Sequence, residues 1–244
     1  MNSATFEGLQ TPPSVLWKAF DVLGAFNHDR RVQTLSEIAR RAGLPKSTTH
    51  RILLMLQEVR AVERVEGGYA IGLRMFSVAS TSVDSRLREL ALPHLERLRR
   101  LTRQTVHLAV LRDGDAVYLE KLPSPVAPAT PALIGGRLPA ARTGVGKALL
   151  AFTAEPSPSE PERRLVTGGQ RAAIRRAGYA TDREEAARGL ACVAAPVLVA
   201  NRAVAAISVA FAAQHGDGSA FVNPVRETAV AVARTVANLP SLIP

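Results

Sequence analysis

The sequence contains a single cysteine, Cys192, in 244 residues. One thiol excludes an internal disulfide and any metal site built from cysteines alone. No apolar run reaches the roughly 18 residues that a membrane-spanning helix needs, and the first residues lack the basic and then apolar pattern of a signal peptide. We therefore expect a cytoplasmic protein without membrane association, without a cofactor and without a metal site.

Lysine is also scarce, so arginine supplies nearly all of the positive charge. The net charge is +10, and lysine occurs only at Lys18, Lys46, Lys121 and Lys147. A basic chain suits a polyanionic partner such as nucleic acid, although genomic base bias also produces arginine-rich and alanine-rich chains. Charge is therefore weak support for DNA binding. The length fits two domains of unequal size.

Residues 34–58 predict two short helices joined by a tight turn. Thr34 and Glu37 have the spacing of a capping box at the start of the first helix. Gly43 suits the left-handed position after a helix end, and Pro45 can begin a helix but cannot continue one. The apolar spacing then places four residues on the inner side of the second helix: Thr49, Ile52, Leu53 and Leu56.

The outer side of the second helix is small, polar and basic, as a recognition helix in the major groove requires. The candidate DNA-contacting residues are Ser36 on the first helix, Lys46, Ser47, Thr48, His50 and Arg51 on the second, and Arg64 beyond them. Two amphipathic helices joined by a Gly–Pro turn also occur in many all-helical domains. The helix pair alone therefore leaves a purely structural role open.

Residues 62–72 favour the DNA-binding interpretation. They alternate in polarity around Gly67 and Gly68, which predicts a two-stranded hairpin with a primed turn. A hairpin after a recognition helix is typical of a winged helix-turn-helix. Arg64 lies on this hairpin, where it could approach a phosphate or simply be solvated.

The first helix should begin after Ser14 and pack through Ala19, Val22, Leu23 and Phe26, with Leu16 and Phe20 widening the apolar stripe. Beyond the hairpin, the spacing predicts helices over 73–81 and 85–103, with Pro93 breaking or kinking the second. The period then changes to two. The pattern predicts strands at 105–112 and 115–122 around Asp113-Gly114, a strand ending at Ile134, helices at 144–152 and 170–177, strands at 190–199 and 204–211, and a last helix capped by Asn223 with Pro224 first. Helices before and after an antiparallel sheet indicate an α+β domain.

Three segments of the chain resemble the IclR family of bacterial transcriptional regulators. They are LSEIARRAGLPKSTTHRILLMLQEVRAVERVEGGYAIG, GRLPAARTGVGKALLAF and GYATDREEAARGLACVAAPV. The resemblance implies a winged helix-turn-helix DNA-binding domain at 11–72, a linker helix at 73–90 and a GAF-like α+β effector-binding domain at 91–240. It also implies a transcriptional regulator, repressor or activator, whose operator binding responds to a small organic acid.

The resemblance places Asp182, Cys192 and Ser208 in the effector pocket. Asp182 could equally cap a helix after it, and Cys192 on an apolar strand could be a small buried hydrophobe. Ala210 stands where some relatives have a polar residue, which favours a less polar effector, including an aromatic one. The segment 154–167 is rich in proline and shorter than the helical insert of relatives, which leaves the shape of one pocket wall open.

The run Gly144-Val145-Gly146-Lys147 is similar to part of a phosphate-binding loop, but Ala141 and Ala148 stand where that motif needs Gly and Ser or Thr. We therefore exclude nucleotide binding. The backbone N–H groups of Thr143, Gly144, Val145 and Gly146 could instead hold a carboxylate at a helix start. A simple glycine-rich helix entry explains the run equally well.

Two other classes of function are alternatives to a transcriptional regulator. A cysteine-dependent enzyme would need a histidine paired with Cys192, and none of the five histidines lies in a motif with it. A protein-interaction module would show no salt-dependent DNA binding. Since one winged domain contacts few base pairs, we expect a homodimer or homotetramer on double-stranded DNA at a partly palindromic operator.

Overall fold

The computed structural model describes residues 14–26, 30–153 and 165–237. The predicted N-terminal arm (1–13), His28 and most of the proline-rich segment 154–167 lie outside the described residues. The chain divides into two compact units, and the boundary falls between Thr81 and Ser82. Within the three described stretches, no helix is long and apolar enough to cross a bilayer.

Within residues 14–26 and 30–81, the N-terminal unit forms four helices and a two-stranded hairpin. Its elements are α1 (Val15–Gly24), α2 (Leu35–Ala42), α3 (Lys46–Glu58), β1 (Val62–Val65), β2 (Gly68–Ile71) and α4 (Leu73–Ser80). The capping box is confirmed, because Thr34 accepts from the Glu37 N–H while the Glu37 carboxylate accepts from the Thr34 N–H. Gly43 ends α2 at φ 66°, the left-handed conformation that was expected.

The core of this unit forms where α1, α2 and α3 meet. Val22, Ile38 and Leu53 are fully buried, as the apolar spacing predicts. Leu16 and Phe20 do not widen the buried stripe: they are 65% and 62% exposed. At about 100° per residue, Phe20 lies roughly 160° around the helix from Val22, so the two side chains cannot share a face.

The predicted hairpin is present, but its turn is not primed. Val65 pairs with Gly68, so the loop residues are Glu66 and Gly67, and of these two only Gly67 has a positive φ. Glycine is needed at position 68 because residue 33 approaches its backbone closely, and not because of the turn. Gln33 forms a β-bridge with Tyr69, and a Cβ on Gly68 would overlap the Gln33 carbonyl.

The C-terminal unit is a six-stranded antiparallel sheet with helices on both faces. Its elements are α5 (Val83–Thr102), β3 (Thr105–Arg112), β4 (Asp115–Leu122), β5 (Arg137–Pro139), a 3-10 turn (Ala140–Arg142), α6 (Gly144–Leu150), α7 (Gly168–Ala177), β6 (Ala180–Arg183), β7 (Leu190–Val199), β8 (Arg202–Ala212), a 3-10 turn (Ala213–His215) and α8 (Ser219–Val236). The strand order is β5-β4-β3-β8-β7-β6. The α+β prediction is confirmed.

Each face of the sheet has its own core. On one face α5 and α8 pack through residues such as Leu95 and Val232 against Val106 and Ile207. On the other face α6 packs through Val145 and Leu149. Small side chains dominate this second core, including Ala109, Ala194 and Ala206, and they leave room above the strands.

The two predicted hairpins of the sheet are confirmed. Asp113 and Gly114, at φ 52° and 85°, join β3 to β4. Ala200 and Asn201, at φ 47° and 63°, join β7 to β8. Both turns have two successive residues in the left-handed region, as the twist of a tight hairpin requires.

Three predictions in this unit were wrong. The strand expected to end at Ile134 is absent; β5 begins at Arg137, after Gly135 at φ 76° donates its N–H to the Tyr118 carbonyl. The last helix begins at Ser219 rather than at Pro224, because Asp217 accepts the Ser219 N–H and Phe221 packs on Phe211.

The third is the break expected at Pro93, because α5 continues through this residue as one helix. Proline removes one N–H of the helix but leaves the side chains around it in place. Leu87, Ala91, Leu95 and Leu98 stay buried against the sheet on both sides of Pro93. Burial of this stripe therefore outweighs the local cost of the proline.

Candidate DNA-binding surface and effector pocket

The polar face of α3 is exposed along its first two turns. Lys46, Ser47, His50 and Arg51 are exposed and Thr48 is half-buried. Thr49 is buried and donates its hydroxyl to the Pro45 carbonyl at 3.0 Å, so it belongs to the core. The structure therefore places Ser47 and Arg51 together on the outer side of α3, with Lys46 and His50 on one flank of them and Thr48 on the other.

The other two predicted DNA-contacting residues lie on different elements. Ser36 is exposed in the first turn of α2. Arg64 lies on β1 and is held in place, since its guanidinium donates to the Tyr69 hydroxyl at 2.7 Å and covers the Tyr69 ring at 4.7 Å. A cation fixed in this way loses less conformational entropy when it meets a phosphate than a freely solvated arginine.

The sheet of the C-terminal unit places the predicted pocket residues side by side. Asp182 on β6 pairs with Cys192 on β7, which pairs with Ala210 on β8. Ser208 lies two residues from Ala210 and pairs with His107 on β3. Residues two apart on a strand face the same side, so all five side chains share one face of the sheet.

The start of α6 covers this row of side chains. A Cβ on Gly144 would lie 2.6 Å from the Cys192 sulfur, so only glycine permits this close approach. Gly146 packs closely against the backbone of Ala140, where a Cβ would overlap the Ala140 carbonyl. The glycine-rich run therefore fits helix-on-sheet packing, which was the simpler of the two interpretations.

The N–H groups of this run are partly used within the protein. Thr143 donates its N–H to the Ala140 carbonyl, and Gly146 donates its N–H to the Thr143 hydroxyl. The N–H groups of Thr143 and Gly146 are therefore weaker candidates for holding a carboxylate, and those of Gly144 and Val145 remain candidates.

A chain of hydrogen-bonded side chains, formed by Ser208, His107 and Thr130, also lines the cavity. Ser208 Oγ lies 3.3 Å from His107 Nδ1, and His107 Nε2 lies 3.1 Å from Thr130 Oγ1. The Lys121 ammonium donates to the carbonyls of Thr130 and Ala132 at 3.1 and 2.8 Å, which fixes the loop that carries Thr130.

These elements enclose a narrow cavity that leaves about 20 Å³ for the centre of a water-sized sphere. Of the predicted residues, those on its wall are Thr143, Gly144, Val145, Asp182, Cys192 and Ser208. The sequence analysis did not find His107, Tyr118, Thr130, Leu138 or Leu190, which also line it. A histidine within the apolar β3 pattern was the one available signal for His107. This space holds little more than one water molecule, so a small organic molecule enters only if the wall side chains move apart.

Burial shifts the titration of the groups around the cavity. It lowers the pKa of His107 to about 3, with Lys121 adding a smaller effect, so the imidazole is neutral. It raises the pKa of the Cys192 thiol to about 12 and also raises the pKa of Tyr118. The pKa of Asp182 is raised by burial, partly offset by N–H groups that donate to its carboxyl.

Asp182 does not cap a helix, which was one alternative. Its Oδ1 accepts the Glu185 N–H at 2.9 Å, but residues 184–187 form bends, with Glu184 at φ 61°. Cys192 does not resemble a catalytic thiol, because a nucleophilic cysteine needs a lowered pKa. Among the described residues no cluster of three or more histidine, cysteine or acidic side chains could hold a metal ion.

The fold and the two sites define a helix-turn-helix regulator with a ligand-binding domain, and comparisons with known proteins identify its family. Residues 15–66 match the IclR helix-turn-helix domain, and residues 79–161 and 170–236 match the bacterial transcriptional regulator IclR C-terminal domain. The chain therefore belongs to the IclR family of bacterial transcriptional regulators.

Similar proteins support this assignment over most of the chain. The HTH-type transcriptional regulator XynR of Escherichia coli K12 is 30% identical over 224 residues, which is 84% of this chain and 89% of XynR. The transcriptional repressor IclR of the same strain is 36% identical over 195 residues, or 72% of this chain and 71% of that repressor. These relatives are regulators rather than enzymes, which agrees with the interpretation of Cys192.

Among solved structures, an IclR homolog from Microbacterium hydrocarbonoxydans in complex with 4-hydroxybenzoate has a similar fold. Its TM-score is 0.79 at 32% sequence identity, and the match covers 91% of this chain and 99% of that one. The likeness extends through both the DNA-binding and the C-terminal units of the chain.

Proposed function

We propose that this regulator binds a small aromatic carboxylic acid in the cavity of its C-terminal unit, and that the acid changes its affinity for an operator. The observation that carries the proposal is the composition of the cavity wall, which combines polar and apolar side chains. Thr143, Asp182, Ser208 and Thr130 supply polar groups, and Val145, Leu138, Leu190 and Ala210 supply apolar surface.

The spacing of the strands supports a ring-sized ligand. Asp182 on β6 and Ser208 on β8 are separated by two strand spacings, about 10 Å between backbones. A benzene ring with a polar group at each end has about this length, and it enters only if the wall side chains move apart, because the cavity leaves about 20 Å³ for a water-sized sphere. The 4-hydroxybenzoate in the Microbacterium homolog has this form.

In this arrangement the effector carboxylate lies at the α6 end of the cavity, toward the N–H groups of Gly144 and Val145. Its other end points toward Ser208. Calorimetry with a panel of aliphatic and aromatic acids tests the placement, using the wild type, Ser208→Ala and Cys192→Leu. We expect the two substitutions to weaken binding of an aromatic acid. Equal binding by all three proteins would place the ligand elsewhere.

The effector acts only if it binds the DNA-competent and the incompetent arrangements unequally. A typical coupling of about 1–3 kcal/mol changes operator affinity about 5-fold to 150-fold. Operator titrations with and without the acid measure this factor. An acid that binds the cavity but leaves operator affinity unchanged contradicts the regulatory part of the proposal.

We further propose that two or four copies bind a partly palindromic operator through α3. The N-terminal unit exposes apolar side chains that a second copy would cover. Leu16 and Phe20 on α1 are more than 60% exposed, and α4 buries no residue while exposing Leu73 and Phe76. Large exposed apolar side chains on a soluble protein indicate an interaction site.

Footprinting upstream of the protein's own gene or of a neighbouring operon tests the operator, and a protected site without half-site symmetry contradicts it. Ultracentrifugation tests the assembly. Phe76→Ser should shift it toward smaller species, whereas Val126→Ser, at an exposed loop position of the C-terminal unit, should not. DNA binding that is absent at every salt concentration would favour the protein-interaction alternative.

A further inference from the structure

The cavity contains a buried carboxyl group but no cationic side chain. Asp182 is only 3% exposed, and of the described residues that line the cavity none is lysine or arginine. The Lys147 ammonium near Asp182 lies outside the lining and already pairs with Glu185 and with the Thr181 carbonyl. An organic carboxylate that enters this cavity therefore meets another carboxyl group, with no cationic side chain among the described lining residues to pair with it.

Two carboxyl groups in one buried site do not readily both ionise, because the N–H groups around Asp182 and the nearby Lys147 ammonium offset only part of the repulsion and desolvation. The structure permits an arrangement in which the two carboxyl groups share one proton. Asp182 Oδ1 accepts the Glu185 N–H at 2.9 Å, which orients the carboxyl. A protonated Asp182 would then donate its O–H to an oxygen of the ligand.

Other groups around Asp182 do not supply or take this proton near neutral pH. The titratable or charged groups that face it are Cys192 from β7, Tyr118 from β4, His107 from β3, Lys147 from α6 and Glu185 from the following loop. Burial puts the pKa of His107 at about 3 and that of Cys192 at about 12, and it raises that of Tyr118. Lys147 and Glu185 are paired with each other outside the cavity.

Resting on the proposed function, we propose that Asp182 and the effector's carboxylate share one proton taken from solvent, and that Asp182 thereby makes the pocket specific for weak carboxylic acids. A sulfonate of the same size is a much stronger acid and holds a shared proton poorly. Asp182 is thus a specificity-determining residue whose carboxyl contacts the ligand.

Calorimetry of the full-length chain with benzoate and benzenesulfonate tests this inference. Titrations in buffers with different ionisation enthalpies give the number of protons bound with each ligand. We expect close to one proton per benzoate above the pH at which free Asp182 ionises, and an affinity that falls about tenfold for each pH unit there. Benzenesulfonate should bind at least about tenfold more weakly, since it lacks the shared proton.

Asp182→Asn provides the matched variant, because an amide presents one donor and one acceptor like a protonated carboxyl. We expect it to bind benzoate without proton uptake, with an affinity independent of pH, and to bind benzenesulfonate nearly as well. Glu185→Gln removes a neighbouring carboxylate outside the cavity, and it should keep the proton uptake of the wild type.

The possible results distinguish a failure of the shared proton from a failure of the proposed function. Benzoate binding without proton uptake by the wild type, or equal affinity for benzoate and benzenesulfonate, overturns the shared proton while leaving the proposed effector class intact. Absence of binding by benzoate and by every other acid of the panel overturns the proposed function and this inference with it. Both wild-type measurements remain decisive if Asp182→Asn fails to fold.

Discussion

At the scale of single residues, Gly144 is a pocket position where any larger side chain would clash with Cys192. Gly144→Ala would place a methyl group 2.6 Å from the Cys192 sulfur. Overpacking of this kind costs about 1–3 kcal/mol and should also narrow the cavity. We expect Gly144→Ala to lower the free energy of unfolding in urea and to weaken acid binding.

The double variant Gly144→Ala, Cys192→Ala supplies the control for that prediction. Removing the sulfur makes room for the new methyl group, so the double variant should recover much of the stability lost by Gly144→Ala. A double-mutant cycle in urea measures the coupling. Additive effects of the two substitutions would show that the clash is relieved elsewhere.

Arg51 is the residue of α3 for which base recognition is most testable. It is exposed one turn after the start of α3. If Arg51 contacts a guanine, Arg51→Ala should cost about 1–3 kcal/mol of operator binding and relax specificity at one base pair. Lys46→Ala, near the helix start, should weaken binding to all sequences and lower the salt dependence. A uniform loss for Arg51→Ala would identify a phosphate contact instead.

At the scale of elements, the wing depends on the contact between Gly68 and Gln33. Any side chain at position 68 overlaps the Gln33 carbonyl, so Gly68→Ala must separate β2 from residue 33. We expect a loss of about 1–3 kcal/mol in stability of the N-terminal unit, in the range of other overpacking substitutions. Weaker operator binding should accompany it.

Gly24→Ala is the matched control for the wing, because a Cβ there meets no atom within 4 Å. Alanine near the end of α1 should leave stability unchanged or raise it by about 0.5–1 kcal/mol. Thermal unfolding and operator titrations of Gly68→Ala and Gly24→Ala test these two expectations. Equal effects of the two substitutions would contradict the role assigned to Gly68.

At the scale of the whole molecule, His107 links the stability of the C-terminal unit to pH. Its pKa of about 3 in the folded protein lies below the ordinary value of 6.5, so the unfolded chain binds a proton that the native unit does not. Stability is therefore complete above about pH 6.5 and falls as the pH drops below it. The loss between pH 7 and pH 5 is about 2 kcal/mol for this group.

Asp182 acts in the opposite direction, since a raised pKa makes the native state bind the extra proton. The shift of His107 is larger and should dominate between pH 5 and pH 7. Denaturant unfolding at several pH values measures the slope, which His107→Gln should reduce. The exposed His215→Gln should retain the wild-type slope. An unchanged slope in His107→Gln would show that another group carries the pH dependence.

Local chemistry in the sequence determined much of this fold. The Thr34–Glu37 capping box, Gly43 after α2 and the Asp113-Gly114 turn are interactions between near neighbours in the chain, so their residue types suffice to predict them. The 3.6-residue period likewise predicted which side of α3 is buried. The family resemblance then added the pocket positions on β6, β7 and β8.

Only the tertiary structure decided the features that depend on residues distant in sequence. Gly68 lies in a strand because Gln33 approaches it, and α8 begins early because Phe221 meets Phe211. His107 lines the cavity because β3 pairs with β8. No local sequence pattern reveals this strand pairing. Residue types set turns and buried faces by themselves, whereas strand order and close backbone approach fix which side chains meet, and the chemistry of the pocket depends on that meeting.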